Sequence, residues 1–150
     1  MPNTHTMHVA IKRIDTTLPL PEYQTPGSAC FDLYSRIDIT IQPRSLARIP
    51  SNIIIATPPG HVLYIFSRSS LAQKKHLILS NGVGVVDIDY CGEEDEMLIA
   101  VYNFSDTQTT VEKGERIAQA SIIPIPSITF TEVSSMHPKS RGGFGSTGET

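Results

Sequence analysis

The chain has 150 residues, 39% hydrophobic and 18% charged, with a formal charge of −3, which suits one compact domain with a real core and excludes a disordered tail or a coiled coil. The negative balance gives no general electrostatic reason to bind nucleic acid or an anionic membrane directly, so an anionic ligand needs local Arg, Lys and backbone N–H groups. Two cysteines, Cys30 and Cys91, make no disulfide framework, no apolar run approaches a membrane span, and residues 1–8 lack a signal-peptide core, so the expected setting is a reducing cytoplasm.

Short β-patterned runs dominate. Strands are expected over 7–14, 36–42, 46–56, 61–66, 77–79, 83–88, 97–104, 109–111, 117–125 and 128–133. Turn signals separate them: Thr25-Pro26-Gly27, Gln42-Pro43-Arg44, Pro58-Pro59-Gly60, Ser105-Asp106 and Lys113-Gly114. Residues 69–76 carry helix formers behind a serine cap candidate, so one short helix is expected there, with free N–H groups at its start. Pro124 and Pro126 argue against a central strand over 123–127. The pattern predicts an all-β fold, a jelly-roll-like barrel or sandwich with one short helix, spanning 1–133. Residues 134–150 read as a glycine-rich tail, expected to be mobile unless a ligand orders it.

Five groupings carry candidate chemistry. The stretch Asn81-Gly82-Val83-Gly84-Val85-Val86-Asp87-Ile88-Asp89-Tyr90 joins glycines that admit close backbone approach to two acids and a ring. If 85–90 is extended, Asp87 and Asp89 share one face, and unpaired carboxylates belong at a strand end, a turn or a site rather than in a core. Taken alone, a hairpin with solvated aspartates explains the pattern equally well. Asp32 lies in a strand after Pro26-Gly27, where capping or pairing suffices to explain it. Arg68, Ser69 and Ser70 at the helix start suit either an anion or ordinary capping. Gln119 interrupts apolar neighbours after the Lys113-Gly114 turn, which edge-strand chemistry also explains. Arg141 precedes Gly142-Gly143-Phe144-Gly145-Ser146-Thr147, where glycines expose N–H groups, hydroxyls add donors and Phe144 offers a flat face for a base.

In this order and spacing, from Pro26 to Gly148, the five groupings resemble the motifs of the trimeric dUTP pyrophosphatases (dUTPases). The resemblance implies a jelly-roll fold, a homotrimer with shared active sites, and Mg²⁺-dependent hydrolysis of dUTP to dUMP and pyrophosphate, which limits uracil in DNA and supplies dUMP. It implies Asp87 as the base that activates water and Asn81 with the Gly82–Gly84 backbone as the uracil reader. Tyr90 corresponds to the ring beneath the deoxyribose. Arg68, Ser69, Ser70 and Gln119 correspond to phosphate contacts, and Asp32 to the acid that orients magnesium-bound water. Phe144 and Gly145 fall in the lid over uracil, with Arg141, Ser146 and Thr147 as the tail's phosphate clamps.

The chain departs from the pattern at Ser70, where glycine is usual, at Cys91, and at Glu115 before Arg116. An acidic stretch, Glu93-Glu94-Asp95-Glu96, adds residues before the next strand. Arg141 stands two residues closer to Phe144 than is usual, shortening the tail's reach by roughly 7 Å at most. Two other readings stay open: a dCTP deaminase of the same fold, against which the Asp87-to-Tyr90 order argues, and a catalytically silent binding protein, to which only the shortened tail points.

Overall fold

The computed structural model describes residues 6–143. Eleven strands and one helix follow in order: β1 (Ile11–Arg13), β2 (Phe31–Tyr34), β3 (Ile39–Ile41), β4 (Leu46–Pro50), β5 (Ile53–Ile55), β6 (His61–Ser67), α1 (Leu71–Lys75), β7 (Leu77–Leu79), β8 (Gly84–Val86), β9 (Leu98–Asn103), β10 (Thr109–Val111) and β11 (Arg116–Pro124). The pairing is antiparallel throughout. A four-stranded sheet runs β2-β11-β6-β8, a three-stranded sheet β4-β9-β7, and β1-β5 and β10-β3 form two ribbons. These sheets do not close into a single barrel; the fold is a jelly-roll-like sandwich.

Alternation explains the core. In β9 the inward positions Ile99, Val101 and Asn103 are buried while Leu98 faces out. In β6, Leu63 and Ile65 point inward and meet Ile49, Ile99 and Leu77 from the three-stranded sheet in one apolar cluster. Burying such side chains contributes about 1.5–3 kcal/mol each. Strand β11 lies at the centre of the four-stranded sheet, pairing with β2 on one side and β6 on the other, so it can align side chains from all three.

Several expectations are corrected. The 46–56 run is two strands, because Asn52 takes a left-handed backbone (φ 74°) that ends β4 and begins β5. The 7–14 and 36–42 runs pair over only three residues each. Residues 128–133 alternate but pair with nothing among the described residues, and Phe130 is 92% exposed. Pro124 ends β11 opposite His61, a position where a missing N–H costs little. Helix α1 is one turn and a half, Ser70 makes no side-chain cap bond, and His76 closes the helix in the left-handed region (φ 55°). So short a helix has little macrodipole, and the anion attraction expected at its start has to come from side chains. Both cysteines are free. Among the described residues no helix is long and apolar enough to cross a membrane.

Candidate active site

Register builds the first half of the site. Gln119 lies opposite Asp32 on one side and opposite Phe66 on the other, so these three form a row across β2, β11 and β6. Arg68, two residues past Phe66, falls on the same face by alternation. Arg116 stands an odd number of residues before Gln119 and would face the other way in a regular strand. A β-bulge between Arg116 and Ala118 adds one residue and restores it to the row.

The result is one carboxylate between two guanidinium groups. Asp32 is 5% exposed; its Oδ1 lies 3.1 Å from Arg68 Nε and its Oδ2 3.1 Å from Arg116 Nη1. Arg68 Nη1 also donates to the Arg116 carbonyl at 3.0 Å, and Gln119 Nε2 donates to the Ser67 carbonyl at 2.9 Å. Beside this group a cleft of about 190 Å³ is lined by Arg68, Ser70, Lys74, Lys75, Glu115 and Arg116. Lys75 is paired with Glu115 at 2.8 Å. Four cations against two carboxylates, Asp32 and Glu115, leave the cleft an attractive place for a polyanion. Ser69, between Arg68 and Ser70 in the chain, is exposed. Nearby, burial first and the Asp32 charge second push the Cys30 thiol up.

The second half is a turn. Strand β8 ends at Val86, and Tyr90 N–H returns to the Asp87 carbonyl at 3.2 Å. Asp87 and Asp89 therefore share no strand face; they occupy an exposed turn, one of the places where unpaired acids are tolerated. Asp87 and Tyr90 line an open cleft of about 260 Å³ with Val85, Met97 and Leu98. Tyr90 is 41% exposed, and its hydroxyl donates to the Glu96 carbonyl at 3.1 Å.

Asn81 lies in the connection between β7 and β8, where Gly82 adopts φ 71°. These two strands do not pair; β7 joins β9 and β8 joins β6, so the connection crosses between sheets and is not a hairpin. Gly84 serves packing: an added Cβ would lie 2.9 Å from Ile65 Cβ. Arg141 is exposed in a stretch without regular structure and makes no ion pair among the described residues. Phe144, Gly145, Ser146 and Thr147 lie outside the described residues.

The fold brings Asp32, Arg68, Ser70 and Gln119 together and puts Asp87 elsewhere. Val86 sits opposite Leu63, and Arg68 lies five residues beyond Leu63, just past the end of β6, a spacing of roughly 17 Å in an extended strand. Antiparallel pairing carries Asp87 further off still. The motifs alone pass over Arg116, Lys74, Lys75 and Glu96. Nothing in the sequence marks a bulge, and Lys74 and Lys75 look like ordinary solvated charge on a helix.

Comparison with known proteins gives the family. A family model described as dUTPase matches residues 16–148. The chain is 40% identical to the deoxyuridine 5′-triphosphate nucleotidohydrolase of Desulfitobacterium hafniense, across 97% of this chain and 98% of that protein. The crystal structure of dUTPase from Streptococcus mutans matches with a TM-score of 0.74 at 31% identity, covering 80% of this chain and 98% of that one. The dUTPase of Staphylococcus bacteriophage 80alpha with dUpNHpp matches with a TM-score of 0.83 at 25% identity, covering 95% and 99%. Fold and relatives together define a nucleotide pyrophosphohydrolase. The chain belongs to the dUTPase family, and its enzymatic class is dUTP diphosphatase.

Proposed function

We propose that the chain hydrolyses dUTP to dUMP and pyrophosphate in sites assembled from different copies of itself, with Asp87 as the general base. The observation that carries this reading is the separation along β6. A base must stand within hydrogen-bond reach of the water it activates, directly or through one more water. Val86, the residue before Asp87, pairs with Leu63, five residues before Arg68, a spacing of roughly 17 Å in an extended strand. A second copy, presenting its turn to the cationic cleft, removes the gap, and a homotrimer provides three such sites.

In this scheme the triphosphate enters the cleft, where Arg68, Ser69, Ser70 and Gln119 hold its oxygens and Arg116 adds charge. Deoxyuridine lies against the partner's turn, with uracil read by Asn81 and adjoining backbone and the sugar over Tyr90. Asp87 takes a proton from water as its oxygen attacks phosphorus in line, and pyrophosphate departs with the bonding electron pair. The tail, 134–150, closes over the nucleotide with Arg141, Phe144, Gly145, Ser146 and Thr147, excluding bulk water. Disposal of dUTP in this way keeps uracil out of DNA and supplies dUMP.

Magnesium fits the residues present. No group of three or more His, Cys, Asp or Glu side chains among the described residues could cage an ion. Magnesium needs no such cage, since it keeps waters and is held largely by substrate phosphates. Asp32 gives one oxygen to each arginine and retains lone pairs for a water hydrogen. When bound, Mg²⁺ would neutralise phosphate charge, with Asp32 as its contact through water.

The test is pyrophosphate release from dUTP, dCTP, dTTP and UTP, with ammonia monitored on dCTP. Release from dUTP alone is expected; ammonia from dCTP would overturn the assignment. Mixing inactive Asp87→Asn with inactive Arg68→Ala protein should restore activity, because some mixed assemblies hold one intact site. Absence of restoration in proven mixed assemblies would show that both residues serve from a single copy.

A further inference from the structure

Glu96 belongs to the acidic stretch that sets this chain apart from the usual motif spacing, and its carboxylate is the most constrained group in that stretch. Its side chain is 13% exposed, and its Oε1 accepts from Arg36 Nε at 2.8 Å and from the Asn52 backbone N–H at 2.8 Å. Oε2 accepts from Arg36 Nη2 at 2.9 Å, completing a forked pair. Asn52 is itself 1% exposed, and its side chain is tied to the Asp15 backbone in both directions, at 2.7 and 3.0 Å. The next residue, Met97, is buried and donates its N–H to the Ile53 carbonyl. Residue 96 is thereby pinned to the core from several sides.

The Glu96 carbonyl is where the Tyr90 hydroxyl ends, at 3.1 Å. Tyr90 otherwise stands in an exposed turn with much of its ring in solvent. Its backbone is anchored to Asp87, so one bond at the far end of the ring fixes both side-chain torsions. The bond can do so only if its acceptor does not move.

We infer that Glu96, clamped by Arg36, is the positioning residue that fixes the Tyr90 ring and so sets the enzyme's preference for deoxyribose over ribose. This rests on the proposed role of Tyr90 beneath the sugar. Excluding a 2′-hydroxyl by shape demands a wall that does not yield, because a few tenths of an ångström of slack would admit it. Arg36 and Glu96 supply that stiffness from behind without touching the nucleotide.

The experiment compares kcat/KM for dUTP and UTP in Glu96→Gln, Arg36→Ala, Tyr90→Phe and the double variant Glu96→Gln/Tyr90→Phe. Loss of one orienting hydrogen bond corresponds to about a 5- to 10-fold fall in the dUTP/UTP ratio. Glu96→Gln and Arg36→Ala should each show it, with kcat on dUTP changing less than the ratio. Tyr90→Phe should give a similar fall, and Glu96→Gln should add little once the hydroxyl is gone. Arg36→Lys, which keeps the charge and loses the fork, should give a smaller fall and serves if Glu96→Gln does not fold. Variants that lose thermal stability but keep the ratio would overturn the inference, as would full additivity with Tyr90→Phe. An unchanged ratio in Tyr90→Ala would instead sink the role of Tyr90 itself, and the inference with it.

Discussion

The two ends of β6 are built on opposite plans. Beyond Ser67, Asp32 is buried between two arginines, Gln119 is tied to a neighbouring carbonyl, and a bulge has been spent on aiming Arg116. At the other end, beyond Val86, Asp87 stands exposed in a turn whose ring is held by one hydroxyl bond. The cationic end is organised by its own chain, whatever binds there. At its opposite number Asp87 makes no ion pair among the described residues, and Arg48 is the cation that lines the same cleft. The contrast teaches that stability and catalysis in this protein should respond to different substitutions.

The sharpest way to break the contrast is Asp87→Asn. Turnover of dUTP should fall about 10²- to 10⁴-fold while the unfolding midpoint stays within error, because an exposed turn carboxylate supports little structure. A matched loss of stability would erase the distinction. At the other end, Asp32→Asn leaves two guanidinium groups without their anion and should cost about 2 kcal/mol in urea unfolding. That is discounted from the buried-pair value because Arg68 and Arg116 are 27% and 40% exposed. Next comes Gly84→Ala, whose methyl would press on Ile65 Cβ and should cost about 1–2 kcal/mol. Ile65→Val should not relieve it, since the contact is with a carbon that valine keeps.

The smallest effect lies away from both ends. Hydrogen bonds from Lys113 first and Thr17 second hold the Asp15 carboxyl well below the usual carboxylate range. A depressed folded-state pKa contributes stability that is present above the ordinary value and is lost as pH falls toward the folded one. Acid titration of the urea midpoint should therefore be slightly shallower in Asp15→Asn than in the parent protein, with both site ends unaffected.

Much of the molecule was legible from residue order, and the failures have physical reasons. Residues 77–79 and 109–111 pair over the expected span because turn residues close each short run, Ser80-Asn81-Gly82 after the first and Lys113-Gly114 after the second. The 46–56 run misled because Ile49 and Ile53–Ile55 are all apolar, and only Asn52, a residue at ease in the left-handed region, hinted at the break. Residues 128–133 have a strand's alternation and no partner strand among the described residues, since pattern states which face is apolar and never what covers it. Motif order singled out Asp32, Arg68 and Gln119, yet the row they form exists only in the register. Arg116 was lost for the same cause: its direction depends on a count of residues across the sheet. Glu96 was lost because four acids in succession look like solvated charge, and burial singles out one of them.

The bulge before Gln119 makes spacing itself a heritable trait of this enzyme. Removing a single residue between 115 and 119 would scarcely alter the overall make-up of the polypeptide, but it would swing the second guanidinium to the opposite side of the sheet. Surface loops elsewhere can lengthen or shrink with little consequence, whereas this short segment tolerates exchange of letters better than a change in their number.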